Sequence, residues 1–511
     1  MAQQLQNITV AAPAFFGLNT QDSPIGVDPS FASVADNCVI DQLGRIGARK
    51  GWVAVSSNGS SVLGSSRGIE TVFEFVDTSG TIVVVSAGNN KIFTGTTTLV
   101  DVTPAAYTPT GNNWKCISFN NHLYMVQSGH VPLLATDESG SFVLEAITSH
   151  AHATGTMPLA NEALAAFGKV WVADVVGDKH TVYWSDTLNG HAWTGGATGS
   201  LNLTTVWPNG HDEVVALAAH NNFLVIFGKK TILVYSGAGS PSSMVLSDIV
   251  EGVGCIARDS VQNTGTDILF LSDTGVRSLG RTIQEKSMPM RDLSKNVRTD
   301  LMHLVPLQIN AIKSVYSAIE ALYLITLPDS NLVFCFDMRS PLEDGSQRAT
   351  SWSSLLPLSL TTLDDGSIYF GLESGIVKYS GYLDGTAKYQ MRYYSNPMDF
   401  GNASNLKFLK KFTLTVIGGQ NTNSTLNWGY DYTTNFTKQV FSLSGTSNAG
   451  EYGLSEYNTT AEWTASAVIN TPKVNTSGSG EVVTIGVESE LNGSAFSIQK
   501  IDIHALLGRL I

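Results

Sequence analysis

A strand–turn–strand unit recurs through the middle of this chain, and few architectures accommodate such a repeat. The clearest copy is LAAHNNFLVIFGKKTILVYSG, 217–237, whose apolar strands are separated by Asn221-Asn222 and by Gly228-Lys229-Lys230. ISFNNHLYMVQSG, 117–129, places Asn120-Asn121 at the same point, and LAAFGKVWVADVVGDKHTVYWSD, 164–186, turns at Gly168-Lys169. Looser copies span 71–95, 266–280, 317–340 and 360–381. Central strands of neighbouring units lie about 41 to 54 residues apart, near the period of propeller blades. The reading is a β-propeller of about seven blades over 53–385. One blade cannot bury both of its faces, so neighbours stack around an axis. The rival reading is a run of unrelated hairpins in a β-sandwich. Phrases shared at a regular period (NN-hydrophobe, YSG) favour the propeller.

Composition agrees with an all-β fold. The chain has 511 residues, 43% hydrophobic and only 14% charged, where about a quarter is usual. Gly, Ser, Thr, Asn and Val abound, which is a strand-and-turn composition. The length implies two or more domains unless the chain is a repeat array. No segment approaches the roughly 20 apolar residues of a membrane span, and the first 17 residues lack the basic start of a signal peptide. Cys38, Cys116, Cys255 and Cys335 form no CxxC, so structural disulfides are not expected.

The last part of the chain changes character. Long alternating runs appear at 412–418, 424–432 and 496–508, separated by polar loops. This reads as a β-sandwich-like domain over 386–511. Residues 1–52 are too few for a core of their own and join it, so the propeller is inserted into a discontinuous platform domain. Charge follows the same partition. The net charge is −13, and 53–385 carries 18 basic against 30 acidic residues. An acidic chain is not a general nucleic-acid binder, although an acidic wall lets DNA pass without sticking.

Motifs that carry chemistry are sparse. SDTLNGHAW, 185–193, approaches a sialidase Asp box but has Leu188 where the box needs Asp, so a turn that packs Trp193 explains it better. His150-Ala-His152 places two imidazoles on one strand face, too few for a zinc site. Asp364-Asp365-Gly366 and Asp273-Thr274-Gly275 read as hairpin turns rather than calcium loops. No GxSxG, Walker A, HExxH or strand-following GxGxxG occurs. No catalytic, metal or cofactor residue is assigned, and an enzyme is not expected.

The stretch ADNCVIDQLGRIGARKGW, 35–52, reads as a tight hairpin turning at Asp41-Gln42-Leu43-Gly44. Arg45, Arg49 and Lys50 crowd it, and Gly51-Trp52 closes it. Arg45, Arg49 and Trp52 are candidate interface or platform anchors, the plainer reading being a solvated charged face. Lys410 and Lys411, with Lys407 beside Phe408 and Phe412, form a second candidate contact or a solvated strand edge.

The segment FFGLNTQDSPIGV…FASVADNCVIDQLGRIGARKGW resembles the start of the tail nozzle proteins of short-tailed bacteriophages, also called tail hub or tail tubular protein B. Gly17-Leu18-Asn19, Ser23-Pro24, Asn37, Asp41, Gly44, Arg49, Gly51 and Trp52 carry the likeness, and the ending FSIQKIDIHALLGR continues it. The resemblance implies a virion protein without catalysis, assembled in the host bacterial cytoplasm as a homohexamer. It implies contacts with a tail adaptor and with tail fibres or spikes, and genome DNA passing through the lumen without sequence-specific binding. The alternative is a carbohydrate-binding or glycan-hydrolysing propeller adhesin, with Trp171, Trp184 and Trp193 as aromatics. An intracellular scaffold propeller ranks last, because Gly-His and Trp-Asp signatures are missing.

Overall fold

The computed structural model describes residues 5–510 apart from 25, 64–67, 78, 111–112, 137–141, 209, 285–291, 403, 421, 444–448, 451–461 and 464–468. Its strands form a ring of antiparallel blades. Four successive four-stranded sheets cover 69–101, 115–146, 160–202 and 214–251. A three-stranded sheet follows over 262–278, then the four strands of 313–352. The ring ends with Ser359–Thr362, Ile368–Leu372 and Gly375–Tyr379, to which Trp52–Ala54 adds a fourth strand. Six blades are thus four-stranded, and one position carries three strands where about seven blades were expected. The first strands of successive blades touch, and Ser359–Thr362 touches Ile69–Val76 to close the circle.

The recurring Asn-Asn pairs explain why each unit turns where it does. Asn89-Asn90, Asn120-Asn121 and Asn221-Asn222 all have positive φ, between 46° and 67°. Two consecutive left-handed residues make the tight turn whose twist matches flanking strands, and Asn tolerates that conformation. The apolar residues flanking the turns then fill the gaps between blades. Separate buried clusters lie between successive sheets, such as Trp171, Trp184, Leu217 and Ile226 between the third and fourth. Trp171 and Trp184 therefore belong to the core and do not rim a pocket.

The two ends of the chain share the remaining strands. Asn405–Gly418 pairs along its length with Phe496–Leu510, which also pairs with Leu5–Ala11 and with Ile46–Ala48. A second sheet starts inside the propeller. Arg348–Trp352, the last strand of its blade, pairs in parallel with Gly17–Leu18 and Phe31–Asp36. The sheet continues through Tyr389–Ser395, Val483–Leu491, Asn423–Tyr430 and Thr437–Ser442. One apolar cluster unites these sheets with the three-stranded blade, including Phe15, Leu271, Phe336, Phe412 and Ile503. Hydrogen bonding therefore runs without a seam from the propeller into the terminal strands.

Candidate functional site

A set of paired, buried charges gathers where the first strands of the blades meet. Several first strands open on a charged residue: Lys115 on the second blade, Glu162 just inside the third and Lys313 on the blade after the three-stranded sheet. The short turn Arg258–Ser260 brings Arg258 and Asp259 among them. Arg258 donates from Nη2 to Asn113 Oδ1 at 2.7 Å and to the Trp114 carbonyl at 3.0 Å. It donates from Nη1 to Asn161 Oδ1 at 2.9 Å, and binds Asp259 through Nε and Nη2 at 2.9 and 2.7 Å. Lys313 Nζ reaches the same Asp259 carboxylate at 2.5 Å. One guanidinium thus ties the turn before the three-stranded sheet to the second and third blades.

Buried charges persist only when paired, and the two carboxylates here differ in how well they are paired. Burial raises the Asp259 pKa, but Arg258 and Lys313 more than offset it and hold the group far below the usual carboxylate range. Glu162 is wholly buried, and its nearest cations stand off, Lys115 at 3.6 Å and Arg258 at 3.8 Å. Burial therefore wins, and its carboxyl is pushed up to about 7. A carboxyl titrating near neutrality is what general acid–base chemistry uses. At Glu162 no surface is open to a substrate atom, and the geometry serves to hold blades together. A depression of about 480 Å³ opens beside Asn161, Lys179, Lys229 and Asp259, and one of about 210 Å³ beside Glu70, Lys115, Asp259 and Lys313. Asp259 borders both, so ion pairs plug the axis between them.

The hairpin over 38–48 forms as expected. Cys38–Ile40 pairs with Ile46–Ala48, and the Gly44 N–H donates to the Asp41 carbonyl at 2.9 Å. Asp41 also accepts from the Leu43 and Arg45 N–H groups and binds Arg45 Nε at 2.6 Å. Arg45 and Arg49, expected as interface or platform anchors, are 2% and 0% exposed. Arg49 grips Asp384 with both Nη atoms, donates from Nε to Asn37 Oδ1, and lies 4.1 Å from the Tyr389 ring centre. A guanidinium enclosed by its own chain has no face left for a partner, so these two residues are internal fasteners. Trp52 is half-buried and starts the strand that completes the last blade.

Lys410 and Lys411 remain on the surface side. The ladder skips Lys410 between Leu409↔Ala505 and Lys411↔His504, so Lys410 is the extra residue of a bulge. Bulges re-aim side chains, and Lys410 is exposed while Lys411 is half-buried. Lys407, on the same strand, is buried, and its ammonium donates to the Asn402 carbonyl.

The axial network was not read from the sequence. Its one local signal is the repeated charged residue at the start of otherwise apolar first strands. His150 also keeps company the sequence did not show. Its ring lies 4.8 Å from that of His191 and 6.1 Å from that of His122, while the ring of the exposed His152 lies 5.7 Å away. Asp365 and Asp273 lie in hairpin turns, as expected, before Gly366 and Gly275. Leu188 has φ +54°, and the Trp193 indole donates to the Gly190 carbonyl at 3.0 Å, so 185–193 is a turn carrying its own Trp.

No family model and no curated protein matches the chain. Solved structures do. The WD40 domain of Neurospora crassa Pan2 is 9% identical, with a TM-score of 0.36 over 65% of this chain and 94% of that one. A Lactobacillus plantarum protein is 12% identical, with a TM-score of 0.33 over 64% and 91%. An exo-β-1,3-galactanase from Phanerochaete chrysosporium, solved with galactose, is 12% identical, with a TM-score of 0.27 over 89% and 100%. Such likenesses carry nothing about function, and the propeller rests on its strand order. Among the described residues, no helix is long and apolar enough to cross a membrane.

Proposed function

We propose that this chain is a structural virion protein, the hexameric tail nozzle or hub that extends the DNA-ejection channel of a short-tailed phage and anchors its fibres or spikes. The observation that carries the reading is where the residues of the N-terminal resemblance fall. Gly17, Asn37, Gly44, Arg49, Gly51 and Trp52 all lie where the terminal strands meet each other or the propeller. A Cβ on Gly17 would meet the Ala349 carbonyl oxygen at 2.3 Å, and one on Gly51 would meet that of Leu383 at 1.8 Å. Asn37 and Gly44 have φ of +54° and +70°, where Asn and Gly are favoured. These six letters of the likeness are therefore ones the joint demands, which supports a shared architecture.

Charge supports the reading from a second side. The acidic excess of 53–385 suits a wall past which DNA must slide without adhering. With ion pairs between its blades, a single propeller would leave the DNA path to the lumen that closed cyclic symmetry would create. Tail adaptor and fibre contacts belong to the same proposal, with the exposed Lys410 as a candidate contact. The glycan-binding alternative loses Trp171 and Trp184 to the core. The experiment is incorporation. Purified protein added to tails lacking this subunit should restore complete particles, and failure to join any particle would reject the reading. A glycan array run in parallel should stay blank, and reproducible saccharide binding would favour the alternative.

A further inference from the structure

Three histidines from separate parts of the chain converge between the second and third blades. His122 opens the strand His122–Val126, His150 follows the short turn Ile147–Ser149, and His191 lies between the strands Thr181–Trp184 and Gly199–Asn202. One ring nitrogen from each lies within 4.8 Å of the other two.

Their surroundings prepare nitrogen lone pairs. His150 Nδ1 donates to Glu145 Oε1 at 3.0 Å, which places its lone pair on Nε2. That Nε2 is buried and has no hydrogen-bond partner, on a residue only 8% exposed. A buried acceptor without a donor is costly, and such an atom calls for an occupant. His122 Nδ1 donates to the Asn120 carbonyl at 2.8 Å, giving it the same tautomer. The backbone of His191 is fixed on both sides, its N–H donating to Asn189 Oδ1 and its carbonyl accepting from the Thr154 N–H. A carboxylate or a carbonyl on the far nitrogen is the usual outer partner of a metal-bound imidazole.

We propose that His122, His150 and His191 form a three-imidazole site for a divalent transition-metal ion of the zinc class, joining the second and third blades. An all-imidazole set suits zinc, cobalt, nickel or copper and not magnesium or calcium. Tetrahedral zinc with Zn–N bonds of about 2.05 Å sets ligand nitrogens roughly 3.3 Å apart. Side-chain rotation closes the difference from the observed limit of 4.8 Å. His122 and His191 are partly exposed, so the fourth coordination position faces water. The Glu145 carboxylate offsets part of the ion's charge.

The test uses the full chain, stripped with a chelator and dialysed. Zn²⁺ is titrated by calorimetry, and Co²⁺ by its visible absorption. One ion per chain should bind with micromolar or tighter affinity. His150→Ala and His191→Ala should each weaken binding at least tenfold, whereas His130→Ala and His220→Ala, outside the cluster, should not. Zn²⁺ should also raise the melting temperature of the wild type by several degrees. If His150→Ala does not fold, His122→Asn, at a partly exposed ligand, must show the same tenfold loss. Absence of saturable binding by the wild type, or one-ion binding unchanged in a His122→Asn, His191→Asn double variant, would overturn the site.

Discussion

Arg49 and Asp384, separated by 335 positions, form a two-pronged ion pair with N–O distances of 2.8 and 2.7 Å. Trp352 and Tyr389 flank the guanidinium, at 6.0 and 4.1 Å from ring centre to Cζ. The pair locks the end of the hairpin onto the segment that leaves the last blade. Burial lowers the pKa of Arg49, but Asp384 more than restores it, and the group stays charged.

Breaking that pair should be severe. Arg49→Ala leaves Asp384 without its cation, at a cost of about 3–5 kcal/mol. Arg49→Glu should fail to give a folded monomer at all, because it sets two carboxylates together. Urea unfolding of Arg49→Ala and Asp384→Asn, singly and together, measures the coupling. Additive losses would mean that the two side chains do not interact.

Blade closure depends on a glycine. Trp52–Ala54 pairs with Gly375–Tyr379 immediately after Gly51, whose Cβ position collides with the Leu383 carbonyl oxygen at 1.8 Å. Gly51→Ala should cost about 4 kcal/mol or more, in the range of severe core lesions. Gly239→Ala, with no atom near its Cβ position, should change little. Melting temperatures of the two variants check this, and equal values would mean that the closure is not strained by a methyl group.

Glu162 should make stability depend on pH in a defined direction. Its folded pKa of about 7 lies above the reference value of 4.5. The native state thus holds a proton that the unfolded chain has released. The corresponding stability is fully present below pH 4.5 and is lost as pH rises through 7. A gap of that size corresponds to roughly 3–3.5 kcal/mol. The difference in unfolding free energy between wild type and Glu162→Gln should therefore shift in favour of the variant between pH 4.5 and 8. A difference that stays constant with pH would contradict the burial argument.

How far the sequence reaches can be judged residue by residue. Asn120-Asn121 and Asn221-Asn222 announce their turns because few residues sit comfortably in a left-handed pair. Asp41, whose carboxylate accepts from the turn's N–H groups, and Gly44, at φ +70°, announce the hairpin just as locally. The burial of Arg45 and Arg49 was not legible, because cationic letters do not say whether a carboxylate waits elsewhere in the chain. Asp41 lies four residues from Arg45, but Asp384 lies 335 from Arg49. The axial network has the same character, since Arg258 reaches Asn161 and Asn113, 97 and 145 residues away. Trp52–Ala54 is only three residues long, and its role as a closing strand depends on where the ring ends. His122, His150 and His191 stand on different strands and loops, and a spacing search sees only His150 with its exposed neighbour His152.

The surface lysines separate folding from assembly. Lys410→Glu with Lys411→Glu should alter stability by no more than about 0.5 kcal/mol, as expected of surface changes. Circular dichroism and melting should match the wild type. Incorporation into tails should fall at least tenfold if this bulge is a contact. Unchanged incorporation would remove the two lysines from the interface.

The most direct measurement is the mass of the purified protein in solution by light scattering, alone and with tail intermediates. The expected species is a ring of about six times the 54.6 kDa chain, present from the start or formed only on the intermediates. A chain that stays monomeric under both conditions would contradict the nozzle proposal.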